Sequence, residues 1–372
     1  MKYALTNGVI LDGAKDMQPQ TGKTVLIDGE KIAAIVPDSA GISGYTPINL
    51  KGKYLMPGLI NMHVHLAGNG KPQKKQRDNE ALVKKIMASG LTRAVAYKMV
   101  RDFAKLELLS GVTTIRTVGG LGNFDTRLRG DIAAGRAAGP RILAANQGIS
   151  VPGGHMAGSV AIAAHSPEEA LKILAQAESE GVDLVKLMIT GGVLDAKEKG
   201  VPGELKMPPE MVRAVCEKAH RDGYTVAAHV ESPEGVKVAL QNGVDSIEHG
   251  AKPALANDIP VVLGNDVGCP WITQYDFWRE LFYFHKYVGV SNAFALHTAT
   301  QRAASCAGLG DVTGAVKEGL HADLIVTKEN PLEDLRALRH VDLVMADGRL
   351  YDAPKFKTNA VVSRELDRYL TD

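Results

Sequence analysis

Apolar and polar positions run along the chain in two rhythms. In residues 1–57, ALTNGVILDG, KTVLIDGEKIAAIV and the segment around Tyr54-Leu55-Met56 alternate or run apolar, punctuated by Gly and Asp. That pattern predicts short strands joined by tight turns. The same character returns from about 311 to 352, where ADLIVT and LVMADGRLY are strand-like. The two ends of the chain are therefore expected to build one small sheet domain together, 1–57 with 310–355. Between them, over 58–309, apolar β-branched runs alternate with helical segments. The runs are GLINMHVHL, GVTTIRTVGG, PRILAANQGI, DLVKLMITGG, YTVAAHVES, VDSIEHG and IPVVLGNDVG. MPPEMVRAVCEKAHRDG opens on prolines and closes on Gly223, and SPEGVKVALQNG opens on Ser-Pro-Glu and closes on Gly243, as helices do. Buried strands alternating with helices predict an α/β fold with a parallel sheet, and at this length a closed barrel rather than an open sheet. The tail, 356–372, reads as an element packed on the barrel.

Composition narrows the function. A net charge of +1 gives no electrostatic footprint for nucleic acid or an anionic membrane. The three cysteines, Cys216, Cys269 and Cys306, are far apart and form no CxxC pair, which fits a reducing compartment. Neither a signal peptide nor a run of about 18–20 apolar residues is legible, so a cytoplasmic protein is expected. Dinucleotide and phosphate-loop glycine motifs are missing as well.

Candidate chemistry sits at the carboxyl ends of the apolar runs, the functional face of a parallel barrel. His63 and His65 close the first run at i, i+2, a spacing that puts both imidazoles on one strand face. Lys186 lies inside LVKLM, where an unpaired ammonium needs a reason. His229, His249 and Asp266 close three later runs. Taken singly, each has a bland reading as a hydrogen-bonded histidine, a salt-bridged lysine or a loop cap. Together, in chain order, they offer the nitrogen and oxygen donors of a zinc-type site. His165, His220, His285, His297, His321 and His340 have no partner pattern and read as structural or solvated. Arg116 and Tyr97 are weaker candidates for substrate contact.

These motifs resemble the amidohydrolase superfamily of metal-dependent hydrolases. LMPGLINMHVHL is similar to its first-strand signature. VKLM with TGGV, AAHVES, SIEHG and LGNDVG resemble its fourth, fifth, sixth and eighth strand ends. AFALHTATQRAASCAGLGDVTGAVKEGLHADLIV resembles its C-terminal helix and return strand. The subgroup resembled is that of imidazolonepropionase-like and Xaa-Pro dipeptidase-like enzymes, and Pro152-Gly153-Gly154-His155 fits it too. The resemblance implies a (β/α)8 TIM barrel flanked by a β-sandwich made from both termini. It implies two divalent metals, zinc by expectation, with His63 and His65 on one and His229 and His249 on the other. Lys186, carboxylated by carbon dioxide, would bridge them. A metal-bridging hydroxide would attack, Asp266 would ligate a metal and act as general base, and His155 would contact the substrate. The implied activity is cleavage of an amide bond in a dipeptide or N-acyl amino acid, a small-molecule substrate, by a chain that could form a homo-oligomer. An imidazolonepropionase-like cyclic-amide hydrolase is the alternative, and Lys186 argues against it, because a bridging lysine goes with two metals.

One spacing departs from the family. Only 17 residues (266 − 249) separate His249 from Asp266, where the family carries a further strand–helix unit. The barrel is therefore expected to lack about one unit near strand seven. A parallel crossover needs a dozen or more residues, so altered site geometry and stability are expected, and a degenerate, non-catalytic member is the further alternative.

Overall fold

A computed structural model describes residues 1–73, 78–196, 198, 201–250 and 252–370. The chain opens with β1 (Lys2–Thr6), β2 (Val9–Ile10), β3 (Lys23–Asp28), β4 (Lys31–Pro37), β5 (Thr46–Asn49) and β6 (Tyr54–Pro57). The middle follows with β7 (Leu59–Val64), α1 (Asn79–Met87), α2 (Gly90–Leu109), β8 (Val112–Thr117), α3 (Phe124–Ala133), β9 (Arg141–Ala144), β10 (Gly148–Ser150) and β11 (Ala161–Ala163). It continues through α4 (Pro167–Ser179), β12 (Leu184–Met188), α5 (Pro209–Arg221), β13 (Thr225–His229), α6 (Pro233–Gln241), β14 (Ser246–Glu248) and the single turn α7 (Lys252–Leu255). The chain ends with α8 (Phe277–Tyr283), α9 (Asn292–Thr298), α10 (Gln301–Cys306), β15 (Leu324–Thr327), β16 (Val341–Ala346), β17 (Arg349–Asp352) and α11 (Ala360–Asp367). No helix among the described residues is long and apolar enough to cross a membrane.

The terminal strands form two sheets, ordered β4-β3-β1-β5 and β17-β16-β15-β6-β2. The second joins the two ends of the chain, through antiparallel pairing of Leu324–Thr327 with Tyr54–Pro57. Leu5, Val25, Ile27 and Ile32 of one sheet share a buried cluster with Leu55, Leu324, Val326 and Leu343 of the other. In the tail, α11 buries Val362, and its Asp367 pairs with Arg279 and Arg339.

The middle builds parallel strands. β7-β8-β9 form one sheet and β11-β10-β12-β13-β14 another. The segment expected as the third strand is broken between them: β9 pairs with β8, and β10 with β12. The Asp183 N–H donates to the Ala144 carbonyl at 2.8 Å, which joins the two sheets across the break. Every residue of β12 is buried, as expected for a central parallel strand covered on both faces. Its helices start where their caps dictate: Ser166 accepts from the Glu169 N–H before α4, and Ser232 from the Gly235 N–H before α6. Both carry proline in the first turn. α5 buries Met211, Val212, Val215, Cys216 and Ala219, one apolar stripe, against this sheet.

The seventh apolar run, the one likened to the family's eighth strand, differs from expectation. Residues 261–267 lie beside β7, joined by the Met62 N–H to the Leu263 carbonyl (3.0 Å), the His65 N–H to the Val267 carbonyl (2.8 Å) and a parallel bridge between Val64 and Val267. They form no regular strand. Among the described residues no backbone ladder joins β14 to them, so this segment has a neighbour on one side alone. A cavity of about 2090 Å³ lies over the carboxyl ends of the strands. It continues into that gap, where Leu240, Val244, Ile247, Ile259 and Val262 line it.

Candidate metal centre and active site

Strand alternation aims His63 and His65 the same way, and hydrogen bonds fix both rings. His63 Nδ1 lies 2.7 Å from Glu248 Oε2 on β14, and His65 Nδ1 lies 2.9 Å from the Gly119 carbonyl. Each Nδ1–H donates a hydrogen bond to its acceptor, the arrangement that turns the Nε2 lone pair toward a ligand. The two Nε2 atoms are 3.3 Å apart, and Asp266 Oδ1 lies 3.3 Å from one and 3.2 Å from the other. With ligand bonds of roughly 2.0–2.1 Å, a tetrahedral zinc ion spaces its donors about 3.3 Å apart. The three atoms therefore fit one ion. Burial pushes the Asp266 carboxyl up, yet the His63 and His65 rings hold it well below the usual carboxylate range.

The second sheet supplies the other side. His229 Nδ1 is 2.9 Å from His249 Nε2, and His229 Nε2 is 3.6 Å from Glu231 Oε1. These three residues form a second group able to hold a cation. Burial, then the His155 ring, holds His229 well below the usual imidazole range, so it is neutral, the form a metal takes. Lys186 is fully buried, close enough for its charge to act on His63 and Asp266 of the first group and on His229 and His249 of the second, and among the described residues its Nζ has no hydrogen-bond partner. Burial brings the ammonium down to about 8, although Glu248 pulls it back up. An orphaned amine of lowered pKa near both donor groups fits the chemistry of a metal-bridging carbamate.

His155 stacks on His229, with ring centroids 3.9 Å apart and planes within 9°. Its Nδ1 is held by the Asp195 carboxylate, which also accepts from the Gly192 N–H at 3.0 Å. Six of the residues singled out above, His63, His65, His155, His229, His249 and Asp266, line one cavity, and Lys186 is buried behind its wall. Tyr97 is elsewhere: its hydroxyl donates to Asp131 at 2.6 Å, and Arg127 lies over its ring. Arg116 reaches the site but is committed to protein acceptors. Glu231 was missed, although it stands at i, i+2 from His229, the same spacing that marks His63 and His65. Glu248 was missed because its partners come from other strands.

The sequence profile of the amidohydrolase family matches residues 54–259 and 250–351. Among solved structures, a protein described as a prolidase from Bifidobacterium longum superposes with a TM-score of 0.85 and 31% identity, covering 100% of this chain and 99% of that one. A Xaa-Pro dipeptidase with methionine bound in its active site gives a TM-score of 0.82 at 26% identity, covering 95% and 100%. The ochratoxinase of Aspergillus niger is 22% identical, over 93% of this chain and 86% of that enzyme. The family match spans most of the chain and includes every strand that carries a site residue. The chain belongs to the amidohydrolase family, hydrolases of carbon–nitrogen bonds.

Proposed function

We propose that this protein is a metal-dependent hydrolase that cleaves the amide bond of a dipeptide or N-acyl amino acid. The observation that carries this reading is the convergence of His63 Nε2, His65 Nε2 and Asp266 Oδ1 at 3.2–3.3 Å. The prolidase and dipeptidase relatives support the substrate class. In this reading the two parallel sheets are a TIM barrel interrupted near its seventh strand, with a β-sandwich from the termini beside it. His63 and His65 would hold one divalent ion and His229 and His249 a second, and Lys186, once carboxylated, would supply an anionic oxygen donor to them. Zinc suits the imidazole and carboxylate donors.

Such ions, when bound, lower the pKa of water and polarise a scissile carbonyl. The rest falls to the chain. Asp266, held ionised, takes the proton of the attacking water on a carboxylate oxygen and delivers it to the leaving amine. His155 is fixed through Nδ1 by Asp195, and with both ring nitrogens carrying hydrogen it donates Nε2–H to the substrate carbonyl. The His229 plane against which it stacks sets its tilt. Glu231 adds a carboxylate to the cavity wall, where a protonated substrate amine finds an acceptor.

The test is hydrolysis of a dipeptide and N-acyl amino acid panel by protein prepared with zinc and bicarbonate. Turnover that disappears in Asp266→Asn is expected. A folded, metal-loaded protein inactive across the panel would overturn the reading in favour of a non-catalytic member.

A further inference from the structure

Arg116 lies on β8, yet its guanidinium reaches three elements. Nε donates to the Met62 carbonyl on β7 at 2.8 Å, Nη1 to Ser246 Oγ at 3.1 Å and Nη2 to Glu248 Oε1 at 2.7 Å, the last two on β14. In the order of parallel strands, β9, β10, β12 and β13 separate β8 from β14 in one direction. In the other direction lies the gap between β14 and residues 261–267. The side chain therefore joins β14 to β7 and β8 across the interior, on the side where no ladder connects them.

The same arginine bears on the metal centre. Glu248 uses one oxygen for Arg116 and the other for His63 Nδ1. Both side chains are almost fully buried, with 11% of Arg116 and 6% of Glu248 exposed. A buried ion pair is a weak source of stability unless its remaining donors and acceptors are satisfied. Here the carboxylate is used on both oxygens, and three guanidinium nitrogens find acceptors in a fork that lysine cannot reproduce.

We propose that Arg116 is a positioning residue. It fixes Glu248, Glu248 fixes the tautomer and tilt of His63, and the line Arg116–Glu248–His63 takes over the orienting work of the missing strand. This rests on the metal centre proposed above. Carboxylates that orient a ligating histidine typically change metal affinity 10–100-fold when altered, and the effect of Arg116 should pass through Glu248.

Cobalt(II) is the probe, because its visible absorption reports the ligand set of a folded protein. Glu248→Gln keeps the shape of the side chain and should weaken cobalt binding about 10–100-fold with altered visible bands. Arg116→Lys should be intermediate. The double variant Arg116→Met/Glu248→Gln should bind no more weakly than Glu248→Gln alone, since both changes cut one line. Folded variants with wild-type cobalt affinity and bands, even at a lowered melting temperature, would overturn the proposal. A wild-type protein without cobalt bands would instead remove the metal reading itself. The relay is then read in the metal-free protein, from melting temperatures of Arg116→Lys, Glu248→Gln and the double variant Arg116→Lys/Glu248→Gln. Overlapping losses support it, and strictly additive losses overturn it.

Discussion

His249 and Asp266 both hold their backbones in the left-handed region, at φ 73° and 57°. Such conformations persist in non-glycine residues where the surroundings over-determine them, often at functional sites. Both follow the last residue of an apolar run, so the turn itself aims the donor. Packing around the donors is equally tight. A Cβ at Gly192 would come within 2.7 Å of the His155 ring and 3.2 Å of His229 Nε2. Gly192→Ala should therefore tilt His155 off His229 and cost roughly 10²-fold in kcat/KM, the scale of a 1 Å misplacement. A melting temperature near wild type would accompany it. Unchanged kinetics would show that the stacking does not matter. The donor side chains of His63, His65, His229, His249 and Asp266 were legible because each stands at the end of an apolar run and chemistry restricts the residue types. Arg116 and Glu248 were not, because their contact joins positions 132 residues apart, and no local pattern encodes it.

Among the elements, helices were the easiest to read: Ser-Pro starts and glycine stops are local chemistry. The broken third strand and the irregular seventh run were not, since ladder partners decide them. α2 carries an unexpected group. Glu107 is fully buried, and among the described residues neither carboxyl oxygen meets a donor. Burial pushes its carboxyl well above the usual range, and Asn61 lowers it in part, although the Asn61 amide is committed to Asn265. The folded chain thus holds this proton to a higher pH than the unfolded chain, whose carboxyl titrates near 4.5. Stability from this group is fully present below that pH and is lost as pH rises toward the folded value. Glu107→Gln should be about 1–3 kcal/mol more stable than the natural chain at pH 8, with the gain shrinking toward pH 4.5. Urea unfolding across that range checks it. A difference constant with pH would contradict the assignment.

At the scale of the whole molecule, the 17-residue step from His249 to Asp266 led to the expectation of a missing unit, and among the described residues no ladder joins β14 to residues 261–267. It did not foretell that His63, His65 and Asp266 would keep tetrahedral spacing, because β7 carries residues 261–267 with it whatever lies beyond. Unpaired edges invite association. Leu240 and Ile259, 64% and 55% exposed, flank the gap. Leu240→Glu should lower concentration-dependent association in light scattering and shift stability by no more than about 0.5 kcal/mol. The proposed ions also join the two sheets, so a chelator should lower the melting temperature by roughly 4–8 °C, as expected for ligand held at about 100 times its Kd. An unchanged melting temperature would mean the ions do not bridge them. The most direct test is elemental analysis of folded protein prepared with zinc and bicarbonate. Two metal equivalents per chain, falling when Lys186 is replaced by Ala, is the predicted result. A folded chain that retains no metal would contradict the account.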